Sequence, residues 1–132
     1  MISAGLATAG AYAARVCMAA VFLYSGQDKV RHWNKAVGEV RELHLPGPPA
    51  LMAASTIVAQ LIGGVLLLTG VALATATGAA LLAAFTAAAT LIGHRYWLLT
   101  GDPAKAAFTT FLEHLAITGG LLLVIVEALR IG

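Results

Sequence analysis

The chain has 132 residues, 60% of them hydrophobic and only 11% charged, with a formal net charge of +2. A soluble domain carries about 25% charged residues, so an ordinary soluble domain is excluded, as is a disordered chain, which needs low hydrophobicity. The small positive balance gives no electrostatic footprint for nucleic acid, and the single cysteine, Cys17, excludes an internal disulfide or a four-cysteine zinc site.

A bilayer core of about 30 Å takes about 20 mostly apolar residues as a helix. Four stretches qualify, at residues 6–25, 51–69, 73–93 and 109–129. They predict an all-α integral membrane four-helix bundle, one transmembrane domain with no residues left over for a soluble one. These runs are too long and continuous for barrel strands.

The first span, 6–25, contains Arg15 in its middle and has no Lys or Arg before it. A signal peptide wants a basic start and an unbroken apolar stretch, so this segment reads as a retained helix. Cys17 is expected to be a buried, inert thiol. Arg15, Ala19, Phe22, Gly26 and Lys29 fall on one helical stripe, which should face the bundle.

Between spans one and two, Val30, Trp33, Val37 and Val40 recur at helical spacing among charged residues. Residues 29–44 therefore read as an amphipathic helix in the membrane interface, or as an extension of span one. His32 and His44 in this segment read as solvated. Leu45-Pro46-Gly47-Pro48-Pro49 ends the segment, because proline cannot continue a helix.

Span two carries Gln60 and the pair Gly63-Gly64, and the short link at Gly70 makes spans two and three a tight antiparallel hairpin. Span three adds Thr86 and Thr90 and ends in His94, Arg95, Tyr96 and Trp97, with Thr86, Thr90, His94 and Trp97 on one stripe. Residues 94–108 read as a loop with a turn at Gly101-Asp102-Pro103. Span four carries Glu113 and His114 near its start, Gly119-Gly120 in the middle and Glu127 near its end. Small residues let membrane helices approach closely.

The loops between spans one and two and between spans three and four hold Lys29, Arg31, Lys35, Arg41, Arg95 and Lys105, and the opposite side holds Arg130. The positive-inside rule places these loops in the cytoplasm and both termini outside.

Charge inside a span is costly and points to function by default. Arg15 lies ~15 Å from the cytoplasmic end of its span, at ~1.5 Å per residue. It admits three readings: a strut fixing helix register, a contact for an anionic or carbonyl group of a ligand, or a side chain reaching a lipid headgroup. Gln60, Thr86, Thr90 and Thr118 are its polar neighbours in depth, and Glu113 is a natural counter-ion for Lys29 or Arg95. His94, Glu113 and His114 form a second cluster. Two histidines on adjacent helices can ligate a haem iron, and His and Glu can hydrogen-bond a quinone head and take up protons. An interfacial belt of satisfied polar groups is the plain alternative. Near-surface placement on short alanine-rich helices leaves little room for a macrocycle, so no metal and no intrinsic cofactor is assigned. The candidate head-group residues are Arg15, Gln60, His94, Glu113 and His114, with Lys29 and Arg95 as structural polar groups.

The arginine within span one, Phe22-Leu-Tyr-Ser-Gly-Gln-Asp-Lys29, the proline-rich approach to span two, Gln60-Leu-Ile-Gly-Gly64, His94-Arg-Tyr-Trp97 and Phe111-Leu-Glu-His-Leu-Ala-Ile-Thr-Gly-Gly120 follow one another in the order of the DoxX family of small four-helix membrane proteins. The chain resembles that family from Arg15 to Leu129. Gln60 stands where many members carry Glu, and Glu113-His114 where many carry a Lys-Asn pair. The resemblance implies a bacterial plasma-membrane protein near quinone-linked redox chemistry, with a quinone as the bound group. Electrons would come from a partner protein or a soluble donor, because the chain carries no evident electron carrier. Two other functions fit the same sequence: a non-catalytic scaffold of a membrane complex, and a small transporter working as a homo-oligomer.

Overall fold

A computed structural model describes residues 1–131, with nothing to be said of the side chain of Ile131. Among the described residues the fold is all-helical. Its helices are α1 (Ala4–Arg31), α2 (Trp33–Glu42), α3 (Pro49–Leu68), α4 (Ala72–Gly93) and α5 (Gly101–Ile131), with a 3-10 turn at Tyr96–Leu98. Four of them, α1, α3, α4 and α5, are long and apolar enough to cross a membrane.

The helix ends follow local chemistry. Ser3 caps α1, its Oγ accepting from the Leu6 amide at 3.2 Å. Pro49 opens α3 at a position where a missing amide proton costs nothing. Gly70, with φ +72°, turns the chain between α3 and α4 within three residues. That conformation is open to glycine and strained for most other residues.

Three expectations are corrected. The helix that carries the fourth span begins well before residue 109, because Gly101-Asp102-Pro103 opens α5 instead of forming a loop. Pro103 is tolerated in a first turn, and Asp102 there suits the helix dipole. The connection from α4 is therefore short. It is pinned by Tyr96, whose ring lies edge-on to Phe108 at 4.9 Å and to Phe111 at 5.3 Å. The amphipathic segment is also not one stripe. Since α1 continues to Arg31 and the backbone breaks at His32, Val30 lies in the last turn of one helix and Trp33 starts the next, both exposed. The buried side of α2 is Ala36, with Val37 and Val40 half-buried. Finally, Cys17 is exposed. The packed side of α1 runs through Ala19, Phe22 and Gly26, and the helical period places Cys17 opposite it.

The core joins Ala19 and Phe22 of α1, Leu67 of α3, Ala79, Leu82 and Ala83 of α4, and Leu121 and Val124 of α5. Glycines set the helix spacing. A Cβ on Gly63 would stand 2.6 Å from Leu82 Cγ, and one on Gly64 would stand 2.8 Å from Leu23 Cδ2. Gly120 receives Met18, whereas Gly119 has nothing within 4 Å. Only Gly120 of that pair serves packing.

Candidate functional site

Of the buried polar residues, Thr75 stands apart in the first turn of α4, and Gln60, Thr86 and Thr90 gather at the end of the bundle where α2 lies. There α1, α2, α3, α4 and α5 surround a cleft of about 680 Å³, within the range of small-molecule sites. Val21, Phe22, Met52, Phe85, Ile92 and Ile117 give it an apolar body, and Val40, Leu43 and Leu45 from the α2 segment cover it. Into this body project Ser25, Lys29, Glu39, Thr56, Gln60, Thr86, His94 and His114.

Two hydrogen-bond chains order these groups. On one side Ser25 Oγ accepts from Lys29 Nζ at 2.7 Å and from Gln60 Nε2 at 3.1 Å. Ser25 and Lys29 are one turn apart on α1, so the spacing alone brings them together. On the other side Thr90 Oγ donates to the Thr86 carbonyl at 2.6 Å, and lies 3.0 Å from His114 Nδ1. This pair ties α4 to α5. His94 stacks edge-on against His114, ring centres 4.8 Å apart.

The chains leave two oxygens unused. Gln60 Oε1 and Thr86 Oγ1 are sealed from water and have no partner, though both residues are at least nine-tenths buried. Such atoms cost free energy inside an apolar compartment. A ligand with a polar head and an apolar body would satisfy them and fill the cleft.

Of the residues expected at a site, Gln60, His94 and His114 meet at this cleft, and Lys29 joins them. Arg15 does not line it. It lies two turns along α1 from Phe22, ~10 Å away at ~1.5 Å per residue, with its guanidinium 5.6 Å from the centre of the Tyr12 ring. Its Nε is buried without a partner. Glu113 does not line the cleft either. The packed face of α5 runs through His114, Leu121, Val124 and Ala128, and Glu113 sits beside it, exposed. Its expected pairing with Lys29 or Arg95 is not formed. Among the described residues the ion-pair contacts are His32–Asp28 at 3.1 Å and Lys35–Glu39 at 3.9 Å. Trp97 leaves the Thr86–Thr90–His94 stripe, because α4 ends at Gly93 and the backbone turns there. No group of three or more His, Cys, Asp or Glu gathers among the described residues.

Sequence reasoning missed Ser25, Glu39 and Thr56. Ser25 was recoverable from its one-turn spacing to Lys29 beside the packed stripe. Glu39 was not, because only the fold of α2 back onto α3 brings it over the cleft.

The sequence profile of the DoxX family matches residues 10–95, which takes in α2, α3, α4 and all but the first turns of α1. The inner membrane protein YphA of Escherichia coli (strain K12) is 28% identical over 110 residues, covering 83% of this chain and 76% of that protein. No solved structure matches the chain. With four apolar helices of membrane-crossing length and a family match over most of its length, this chain is an integral membrane protein and belongs to the DoxX family.

Proposed function

We propose that the cleft binds the head group of a quinone, and that the protein is a small membrane subunit serving quinone-linked redox chemistry. The observation that carries this is the pair of buried, unpartnered oxygens, Gln60 Oε1 and Thr86 Oγ1, on residues that line a cleft whose body is apolar. A quinone ring fits such a place in size and in its mixture of apolar edge and polar oxygens. Lys29 and the Thr86 hydroxyl supply hydrogen bonds to its oxygens, and His114 lines the same cleft. The resemblance drawn from the sequence motifs points to the same chemistry. The electrons come from a protein partner or a soluble donor. The least buried spans, α1 and α5, offer the surface for a protein partner or a second copy. With the basic loops in the cytoplasm, the cleft lies in the cytoplasmic leaflet and both termini lie outside.

The test is a titration of the purified protein in detergent with a short-chain benzoquinone, followed by thermal unfolding. Ligand that binds the native state alone raises the midpoint in proportion to the logarithm of its excess over Kd. The expected result is a saturable rise that Thr86→Val, which removes a donor to a quinone oxygen, weakens. No rise at any soluble concentration would remove the proposal.

A further inference from the structure

We infer that the cleft prefers a head group bearing hydroxyls, a hydroquinone or phenol, over the oxidised quinone; this rests on the head-group reading above. The argument is a count of protons. Gln60 has two kinds of polar atom, and its amide nitrogen already donates to Ser25 Oγ at 3.1 Å. One N–H remains on that nitrogen and, as a donor, serves either form of the ring; Oε1 can only accept, and it is buried without a partner.

The histidine side gives a second acceptor. Thr90 has one hydroxyl proton, and it goes to the Thr86 carbonyl at 2.6 Å. The contact of Thr90 Oγ1 with His114 Nδ1 at 3.0 Å therefore needs its proton from the ring. That fixes neutral His114 as the Nδ1–H tautomer and leaves Nε2 as a bare acceptor. His114 lines the same cleft as Gln60.

A quinone carries two carbonyl oxygens, which also only accept. Set against Gln60 Oε1 or His114 Nε2, it puts two lone pairs together with no proton between them. A hydroquinone carries two O–H groups and can supply a proton to each. Lys29, Ser25 and Thr86 have donors that serve either form, so they do not discriminate. A site built around a hydroxyl rejects an analogue lacking it, because its own polar atoms are then left unpaired.

The experiment compares three ligands on one ring, under anaerobic conditions in detergent. They are a short-chain hydroquinone, the corresponding quinone, and the hydroquinone with both oxygens methylated. Binding is read by thermal shift and confirmed by equilibrium dialysis. The hydroquinone is expected to bind at least about tenfold tighter than the quinone, a factor equal to one hydrogen bond. The dimethyl ether should match the quinone or fall below it. Gln60→Leu and Thr90→Val should each bring the hydroquinone-to-quinone ratio toward one. Because the readout is a ratio, partial loss of stability does not imitate the result. Equal or tighter binding of the quinone by the unsubstituted protein overturns the inference and leaves the head-group reading standing. Binding of none of the three overturns both.

Discussion

Gly63 and Gly78 meet backbone against backbone across α3 and α4. The carbonyl oxygen of Gly63 lies 2.9 Å from the place a Cβ on residue 78 would occupy, and Leu66 Cβ lies 2.6 Å from it. Neither neighbour is the far end of a flexible side chain, so nothing can swing away. Gly78→Ala should therefore destabilise the protein by about 1–3 kcal/mol, the usual cost of overpacking. Thermal unfolding in one detergent measures it. Gly5→Ala, where nothing lies within 4 Å, is the control and should leave the midpoint unchanged or slightly raised.

Ser25 carries a different load, since two donors from two helices end on its one oxygen. Ser25→Ala leaves the Lys29 ammonium and the Gln60 amide without that acceptor. The expected cost is about 1–3 kcal/mol, together with weaker head-group binding because Gln60 is no longer held. Ser55→Ala is the comparison. Ser55 is exposed and bonds only to the carbonyl of Leu51 on its own helix, so its loss should be silent in both measurements.

Thr75 is fully buried, and its hydroxyl has no partner. Unlike Thr86, it does not line the cleft. Replacing it with valine keeps the shape and removes an unsatisfied polar atom. Thr75→Val should raise the thermal midpoint and leave ligand affinity alone. A lowered midpoint would mean that the hydroxyl has a partner after all.

Arg15 gives the opposite prediction from the one its sequence position invites. It stands off the cleft, over Tyr12, with a buried Nε that nothing receives. Arg15→Leu loses a cation–π contact of about 0.5–2 kcal/mol and removes a charge from a membrane span, which costs about 2.5–3.5 kcal/mol on insertion scales. The midpoint should hold or rise, and quinone affinity should not change. Lost affinity in this variant would return Arg15 to the binding site.

The number of spans was legible from hydropathy alone, because a membrane segment must be long, apolar and continuous. The packed stripe of α1 was legible too, since Ala19, Phe22 and Gly26 keep the helical period. What could not be read was which polar group faces which partner. Glu113 and His114 are adjacent in sequence, yet 100° of helical rotation exposes one and sends the other into the cleft. The start of α5 was missed for a related reason. Gly-Asp-Pro serves equally as a turn and as a helix opening, and the packing of Tyr96 on Phe108 and Phe111 goes with the second.

The three-residue link between α3 and α4 has a kinetic side. Closing so short a loop costs little chain entropy, so these two helices can pair as soon as both are in the bilayer. The contact between Met18 and Gly120, by contrast, joins residues about a hundred positions apart and must wait for the whole chain. The cleft draws side chains from every helix, His114 and Ile117 of α5 included. Binding competence is thus the last property this protein acquires as it assembles, and recovery of ligand binding after refolding should follow the slowest phase.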